Sequence, residues 1–464
     1  MRLRLGLPPS LPRTRIIMTT HIADGVAQYE YPREAPRSPD YRVRLNGRDE
    51  TVLTTDAADF IQFEFADATR ACAHIEIEAS RALGETALRP LSRGVALEAL
   101  SDRLVRFTLD RPMNLCLDPK GLRPLFIYAN PPETGLPERG APGVHFFEGG
   151  RAHDIGELRL RSGETLYLEG GALLRGCVRA CDAEGVRIAG RGVLDGFCYA
   201  ERSERRRSIV FENCRDLAVR DIVMIRPTAW MLVLARCRGA RVENIKQIGE
   251  VVSSDGIDVV ASRDVRVTGC CLRNNDDCLV VKSIAPGYRS GDASHDWSGD
   301  VENVVFEGCA LWNHRAGNAM EIGHETVTDR IGGIIFRDID VMRVDGHGAV
   351  FSIHNGGRAL VEDVTWDDIR VEHHYDKLVD FRVMVSRFSR CDQRGVIRGV
   401  RLRNVRVHYA PFNAGYTISL IGGYDATHRV EDVRFENVWI DGQKLTHPDQ
   451  IELFTRHADH IRFD

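Results

Sequence analysis

Beyond Gly156 the chain is written in short runs whose apolar and polar residues alternate with period two. The runs recur in units of the form apolar-x-Phe-x-Asn-x-x-x-apolar-x-Asn/Asp-apolar, spaced roughly 22 to 35 residues apart. SIVFENCRDLAVRDI from 208, VENVVFEGCALW from 301, GGIIFRDIDV from 332, VEDVTWDDIRV from 361, IRGVRLRNVRV from 397 and VEDVRFENVWI from 430 are instances. Each unit holds two or three strand-length segments and no amphipathic helix of useful length. One unit cannot bury its own apolar face, so the units must stack, each strand pairing with its counterpart one turn later. The pattern predicts an all-β fold, a parallel β-helix. A leucine-rich repeat is the competing solution, but the β-branched bias and the lack of regularly spaced leucines argue against it.

Upstream the pattern differs. Between about residues 40 and 150, alternating segments such as Tyr41 to Leu45, Phe60 to Phe65 and Leu104 to Leu109 are punctuated by Gly, Pro and Asp. They predict a small β-sandwich, with the Pro- and Gly-rich stretch 130–143 as its connection to the repeats. The expected organisation is therefore a leader or mis-assigned start at 1–17, an N-terminal β-rich domain at 18–150 and a β-helix at 151–464.

Composition narrows the partners. With 62 basic and 67 acidic residues and a net charge of -5, the chain has no basic stripe for a nucleic-acid backbone, and no segment long enough to span a membrane. The basic, proline-broken N-terminus lacks the apolar run of a secretory signal, which points to the cytoplasm. The twelve cysteines have no zinc-site spacing, and Cys214, Cys237, Cys270 and Cys309 fall at similar points of successive repeats; they are expected to be reduced interior residues.

The chemistry concentrates in residues 253–283, SSDGIDVVASRDVRVTGCCLRNNDDCLVVKS. Aligning Ile257-Asp258-Val259 with Leu279-Val280-Val281 gives a 22-residue repeat that sets Asp255 and Asp277 at equivalent places on adjacent coils, ~4.8 Å apart. Asp276 joins them. Carboxyls crowded in this way acquire split pKa values, so that one can donate a proton while another activates water. In inverting glycosidases the two are in general roughly 6.5–9.5 Å apart. Isolated Asp-Gly pairs more often fill turns, but three carboxyls at matched positions favour chemistry.

At these residues the chain resembles glycoside hydrolase family 28, the polygalacturonases, and the related dextranase and isopullulanase β-helix group. SSDGID at 253–258 is similar to the family's Asn-Thr-Asp-Gly-x-Asp segment, and NNDDCLVVKS at 274–283 to its Gln-Asp-Asp-Cys segment. GETLYLEGGALLRG at 163–176, GRGVLDG at 190–196 and RPTAW at 226–230 extend the likeness over roughly 160–360. The resemblance implies a right-handed, pectin-lyase-like β-helix and hydrolysis with inversion. It implies Asp276 as general acid, Asp255 and Asp277 as the holders of the attacking water, and no metal or other cofactor.

Two departures concern the substrate. Asn318, in GNAMEIG at 317–323, stands where the family has a histidine, with His324 or His314 beside Arg315 as substitutes; and AVFSIHNGG at 349–357 offers no fixed cation where the family's Arg-Ile-Lys pairs with a uronate carboxylate. Strand parity puts Asp258, Lys282 and Glu321 opposite the apolar set, where they are expected to line the cleft, with Lys282 available to a sugar hydroxyl or to a catalytic aspartate. Trp230 is expected to offer a ring to a sugar, His354 and Asn355 to reach the cleft from later coils, and the insertion 285–300 to wall one end. The expected activity is glycosidic hydrolysis of a polysaccharide or derived oligosaccharides, with a neutral-glycan hydrolase as the alternative. From another class, a uronate lyase or epimerase would betray itself by strict calcium dependence or an Arg or Lys base. A non-catalytic carbohydrate-binding β-helix would bind without hydrolysis.

Overall fold

The computed structural model describes residues 20–23, 25–66, 72–286, 296–389, 391–408 and 418–464. The expected leader at 1–17 and most of the insertion at 285–300 lie outside the described residues. Among the described residues twenty-nine strands, from Val144–Phe147 to Ala458–Phe463, form one continuous sheet system in which all but the short Gln443–Lys444 pair in parallel with their counterparts one turn on. This is the right-handed parallel β-helix that the repeats require. The registers carry the sequence repeat directly: Ile257 pairs with Leu279, and Leu279 in turn with Met320.

The interior is filled by stacked inward rows, because period-two alternation repeated every coil puts like residues above one another. Phe306, Phe336, Trp366, Leu402, Phe435 and Phe463 are successive partners along one such row. Phe336 and Trp366 stack at 5.4 Å between centroids and 6° between planes. All twelve cysteines are free, and Cys214, Cys237, Cys270 and Cys309 are buried.

Ahead of the β-helix, a seven-stranded and a five-stranded sheet share a core that includes Val43, Phe63, Ile75, Phe107 and Ile127. Tyr41–Leu45 shows the one-sided burial expected of an outer sandwich strand, whereas Leu125–Asn130 is buried at every position. The second face of that strand is covered by the β-helix. Phe60, Phe126 and Tyr128 pack with Val193, Val223, Ile225, Cys271 and Trp312 in one cluster. That cluster pins one of the three β-helix faces to the sandwich, and the aspartates of 253–283 sit at the turns leading into a different face. Among the described residues no helix is long and apolar enough to cross a membrane.

Candidate active site

Asp255 ends the turn before strand Ile257–Val260, and Asp276 and Asp277 end the turn before Leu279–Ser283 on the next coil. The coils approach closely here: the Gly256 N–H donates to the Asp277 carbonyl at 2.8 Å, and a Cβ on Gly256 would lie 2.4 Å from the Cys278 carbonyl oxygen. One carboxylate oxygen of each of the three aspartates lies within 4.8 Å of the others. This is tighter than the general spacing for inverting pairs, because all three project from adjacent turns of one edge rather than from opposite walls.

Each carboxyl is held differently. Asp276 is half-buried and accepts from the Ser253 N–H at 2.8 Å and the Asp277 N–H at 3.1 Å. Asp277 is buried, and its Oδ1 accepts from the Asn318 backbone N–H at 2.7 Å and from Asn318 Nδ2 at 3.0 Å. Asp255 accepts from Lys282 Nζ at 2.8 Å. Burial, reinforced by the Asp255 charge, pushes the Asp276 carboxyl up to about 7. Burial, with Asp276 and Glu321 next, also raises Asp277 well above the usual carboxylate range.

Asn318 thus braces Asp277, and its Oδ1 accepts from the Ala349 N–H at 2.8 Å, so its polar atoms are spent inside the protein rather than offered to a sugar. Gly317 before it takes φ +67°, and a Cβ there would lie 2.3 Å from the Asp277 nitrogen. Asn275 ties the same turn down, accepting from the Arg315 N–H at 3.0 Å and donating to the Glu250 carbonyl at 2.5 Å. Nothing in the residue types alone marked Asn275 or Gly317 as supports; their proximity to the aspartates arises only when coils stack.

The charged set that shares one strand parity forms a buried floor, which corrects the expectation that it lines the cleft surface. Asp258, Lys282, Glu321 and His354 are each at most 5 % exposed. They pair internally: Lys282 Nζ lies 3.3 Å from Asp258 Oδ1, and His354 Nδ1 lies 3.0 Å from Glu321 while its Nε2 lies 3.2 Å from Asp380 and 3.1 Å from Arg382 Nη2. Burial opposes charge on His354, but Glu321 and Asp380 overcome it and raise the imidazole to about 10. The segment 349–357 thus holds a basic imidazole, whose two nitrogens are both occupied by groups of the protein. Arg382, next to it on the following coil, binds Asp380 through Nε at 2.5 Å and Nη2 at 2.8 Å.

His324 stacks on His354 with 4.3 Å between ring centroids and donates or accepts at Ser386 Oγ over 3.2 Å; burial and the neighbouring His354 charge lower it to about 4, so it is neutral. Trp230 is no open platform for a sugar. It is 9 % exposed, with Lys282 Nζ 4.2 Å and the Arg207 guanidinium 4.4 Å from its ring centre, because cations seek the π face. His314 pairs with Asp345 at 3.2 Å, and Asn355 is fully buried, bonded to Thr326 and Ala359 rather than reaching the cleft. Arg315 is exposed at the rim, and among the described residues its side chain has no partner.

A right-handed parallel β-helix with clustered turn aspartates is the class that fold and site define. The family model described as Glycosyl hydrolases family 28 matches residues 177–351, the stretch that holds all three aspartates, and the chain resembles that family. A polygalacturonase of Chamaecyparis obtusa is 20 % identical over 218 residues, covering 46 % of this chain and 39 % of the relative. A probable rhamnogalacturonase A of Aspergillus oryzae is 20 % identical over 235 residues, 47 % of each chain. The chain thus spans less than half the length of these curated relatives. Dex49A from Penicillium minioluteum shares the fold over 96 % of this chain and 100 % of its own, at a TM-score of 0.66 and 14 % identity.

Proposed function

We propose that the protein is a glycoside hydrolase that cleaves an O-glycosidic bond of a polysaccharide or a derived oligosaccharide with inversion. The observation that carries the hydrolytic reading is the cluster of three carboxyls within 4.8 Å, of which the half-buried Asp276 is the accessible one; inversion rests on the resemblance to family 28. Raised to about 7, Asp276 keeps its proton in mildly acidic to neutral solution and can pass it to the leaving oxygen. Asp255, paired with Lys282, is the carboxylate that accepts the proton of the attacking water, and Asp277 helps hold that water.

The specificity reading favours a neutral sugar. Lys282 and His354 lie in the buried floor and Arg382, partly exposed, lies beside it, and each is bound to a carboxylate of the protein itself. A uronate carboxylate normally recruits an arginine fork, which here would fall to Arg315 at the rim.

The test is sugar release from dextran, pullulan, polygalacturonate, rhamnogalacturonan and short oligosaccharides, beside the Asp276→Asn variant, with the anomer formed first read by proton NMR. The expected result is release lost by at least about 10²-fold in the variant, the usual worth of a general acid. The first-formed anomer should be opposite to the substrate's. Retention of most activity by the variant overturns the assignment of Asp276, and a product of retained configuration overturns inversion.

A further inference from the structure

A bond inside a polysaccharide can be cut only where sugar units fit on both sides of the catalytic groups, whereas a cleft stopped on one side admits only a chain end. Toward the C-terminus the catalytic face offers what a sugar needs, polar groups and an accessible ring. Asp276, His324 and Arg382, each partly exposed, stand on later and later coils, and the ring of Phe388, 40 % exposed, lies beside His324 at 5.1 Å between centroids. These groups run along the stack of coils, and so does the path they mark for a sugar chain.

Toward the N-terminus the same face is closed. Ile209 pairs with Leu232, Leu232 with Ile257 and Ile257 with Leu279, so the residues two before each of these, Arg207, Trp230, Asp255 and Asp277, hold equivalent places on four successive coils. Where two coils present carboxyls, the two before them present a guanidinium and an indole. The Arg207 guanidinium lies 4.4 Å from the Trp230 ring centre and 5.0 Å from that of Trp297, one cation shared by two π systems, and all three side chains are buried.

The outward positions of these earlier coils are apolar. Val210, Val233, Ala235 and Val260 are buried in one cluster with Trp230, Ile284 and Trp297. The character of the face changes at the aspartates, for Val233 is followed in register by Asp258 and Val260 by Lys282. The cover is fixed in place. The Ile284 N–H donates to the Trp297 carbonyl at 3.0 Å, the Gly299 N–H to Ser283 Oγ at 3.1 Å, and the Ser208 N–H to the Trp230 carbonyl at 3.1 Å. With coils ~4.8 Å apart, two filled coils take about 10 Å of cleft directly beside Asp255.

We infer that the site takes chain ends. The stack of Trp230, Arg207 and Trp297 stops the cleft one coil before Asp255, so that a terminal sugar lodges against it and the rest of the chain leaves over His324 and Arg382 toward the C-terminal coils. The inference rests on the hydrolytic reading for the cut itself, but recognition of an end is a property of binding as well.

The test uses the full-length protein with dextran, pullulan and polygalacturonate, each fractionated into long and short chains. At equal mass the rate of sugar release should rise in direct proportion to the number of chain ends. One short species should be the product from the outset, and viscosity should hardly fall while it forms. A ladder of products with an early fall in viscosity means that chains cross the plugged coils, which overturns the inference and leaves hydrolysis standing. In Trp297→Ala, which removes one ring of the stack, products longer than the parent's first species should appear. A folded variant with the parent's product profile overturns the assignment of the plug, and if the variant does not fold, the parent's profile decides. Where no polymer is cut, calorimetric binding of the same fractions decides instead. Saturation that follows the number of chain ends supports the inference although the hydrolytic reading has failed; saturation that follows mass, or no binding to any fraction, overturns it.

Discussion

A carboxyl that keeps its proton near neutral pH must be costly to ionise, and at Asp276 the cost is levied on the folded state alone. In the unfolded chain the group titrates at its ordinary value near 3.8, whereas in the fold burial and Asp255 raise it to about 7. Between those values the folded state binds the extra proton, so this residue's contribution to stability is intact below about pH 4 and is lost as pH rises through 7. Asp276→Asn removes the penalty. The variant should melt at the parent's temperature near pH 4 and several degrees higher at pH 8, the increment corresponding to a few kcal/mol. Calorimetric melting at both values checks this; a variant no more stable at pH 8 than at pH 4, relative to the parent, contradicts the shifted pKa. The residue that would perform chemistry is thus also one that the fold tolerates at a loss. Glu321 and His354 behave oppositely, each stabilising the charge of the other.

At the scale of the element, the β-helix is held by rows rather than by strands. A strand of four residues such as Ile257–Val260 buries little by itself, but its inward residues continue a row that runs the length of the solenoid. The aromatic row is the heaviest of these: Trp366 is stacked on Phe336 at 5.4 Å and Phe381 at 5.5 Å and meets Phe351 edge-on. Trp366→Ala should cost ~3–5 kcal/mol, since the surrounding coils are constrained by their own ladders and cannot collapse into the space. Urea titration followed by circular dichroism reads the loss; a change below about 1 kcal/mol would mean that the row is not a structural spine. The row at the catalytic face obeys the same register, which is why Asp258, Val280 and Glu321 stand in line although 63 residues separate the first from the last.

Over the whole molecule, the sandwich and the β-helix share an interior. Arg191, from the second coil, is 1 % exposed and reaches into the sandwich side, donating to the Pro131 carbonyl at 2.8 Å and pairing with Asp221 at 2.5 Å and Glu64 at 3.4 Å. Lys246 is wholly buried beside it, bonded to Asn130, and burial together with the Arg191 charge lowers it to about 7. Around this polar knot lies the shared apolar cluster, with Phe126 and Trp312 at 6.2 Å across the boundary. Arg191→Ala leaves Asp221 and Glu64 without their principal cation, a change worth ~3–5 kcal/mol. Because the cluster couples the two parts, they should still unfold in one calorimetric transition at lower temperature. Two separated transitions in the parent would show that the parts are energetically independent.

What the sequence determined by itself is whatever depends on period and repeat. Alternation of two, repeated every coil, leaves stacking as the way to bury the apolar residues, so the solenoid, the 22-residue offset and the meeting of Asp255 with Asp276 and Asp277 were legible in residues 253–283. Parity also told which side chains turn away from the core. Parity could not tell that this side is roofed: Asp258, Lys282, Glu321 and His354 were read as cleft-lining and prove to be a buried floor, because neighbouring coils supply counter-charges only when folded. Glu321 and Asp380, each supplied by a neighbouring coil, raise the imidazole of that segment's His354, and Asn318 becomes a brace for Asp277 rather than a contact for sugar. Those outcomes belong to the tertiary structure, since the charge state of a buried group depends on which coil lies above it, and that neighbour is distant in sequence.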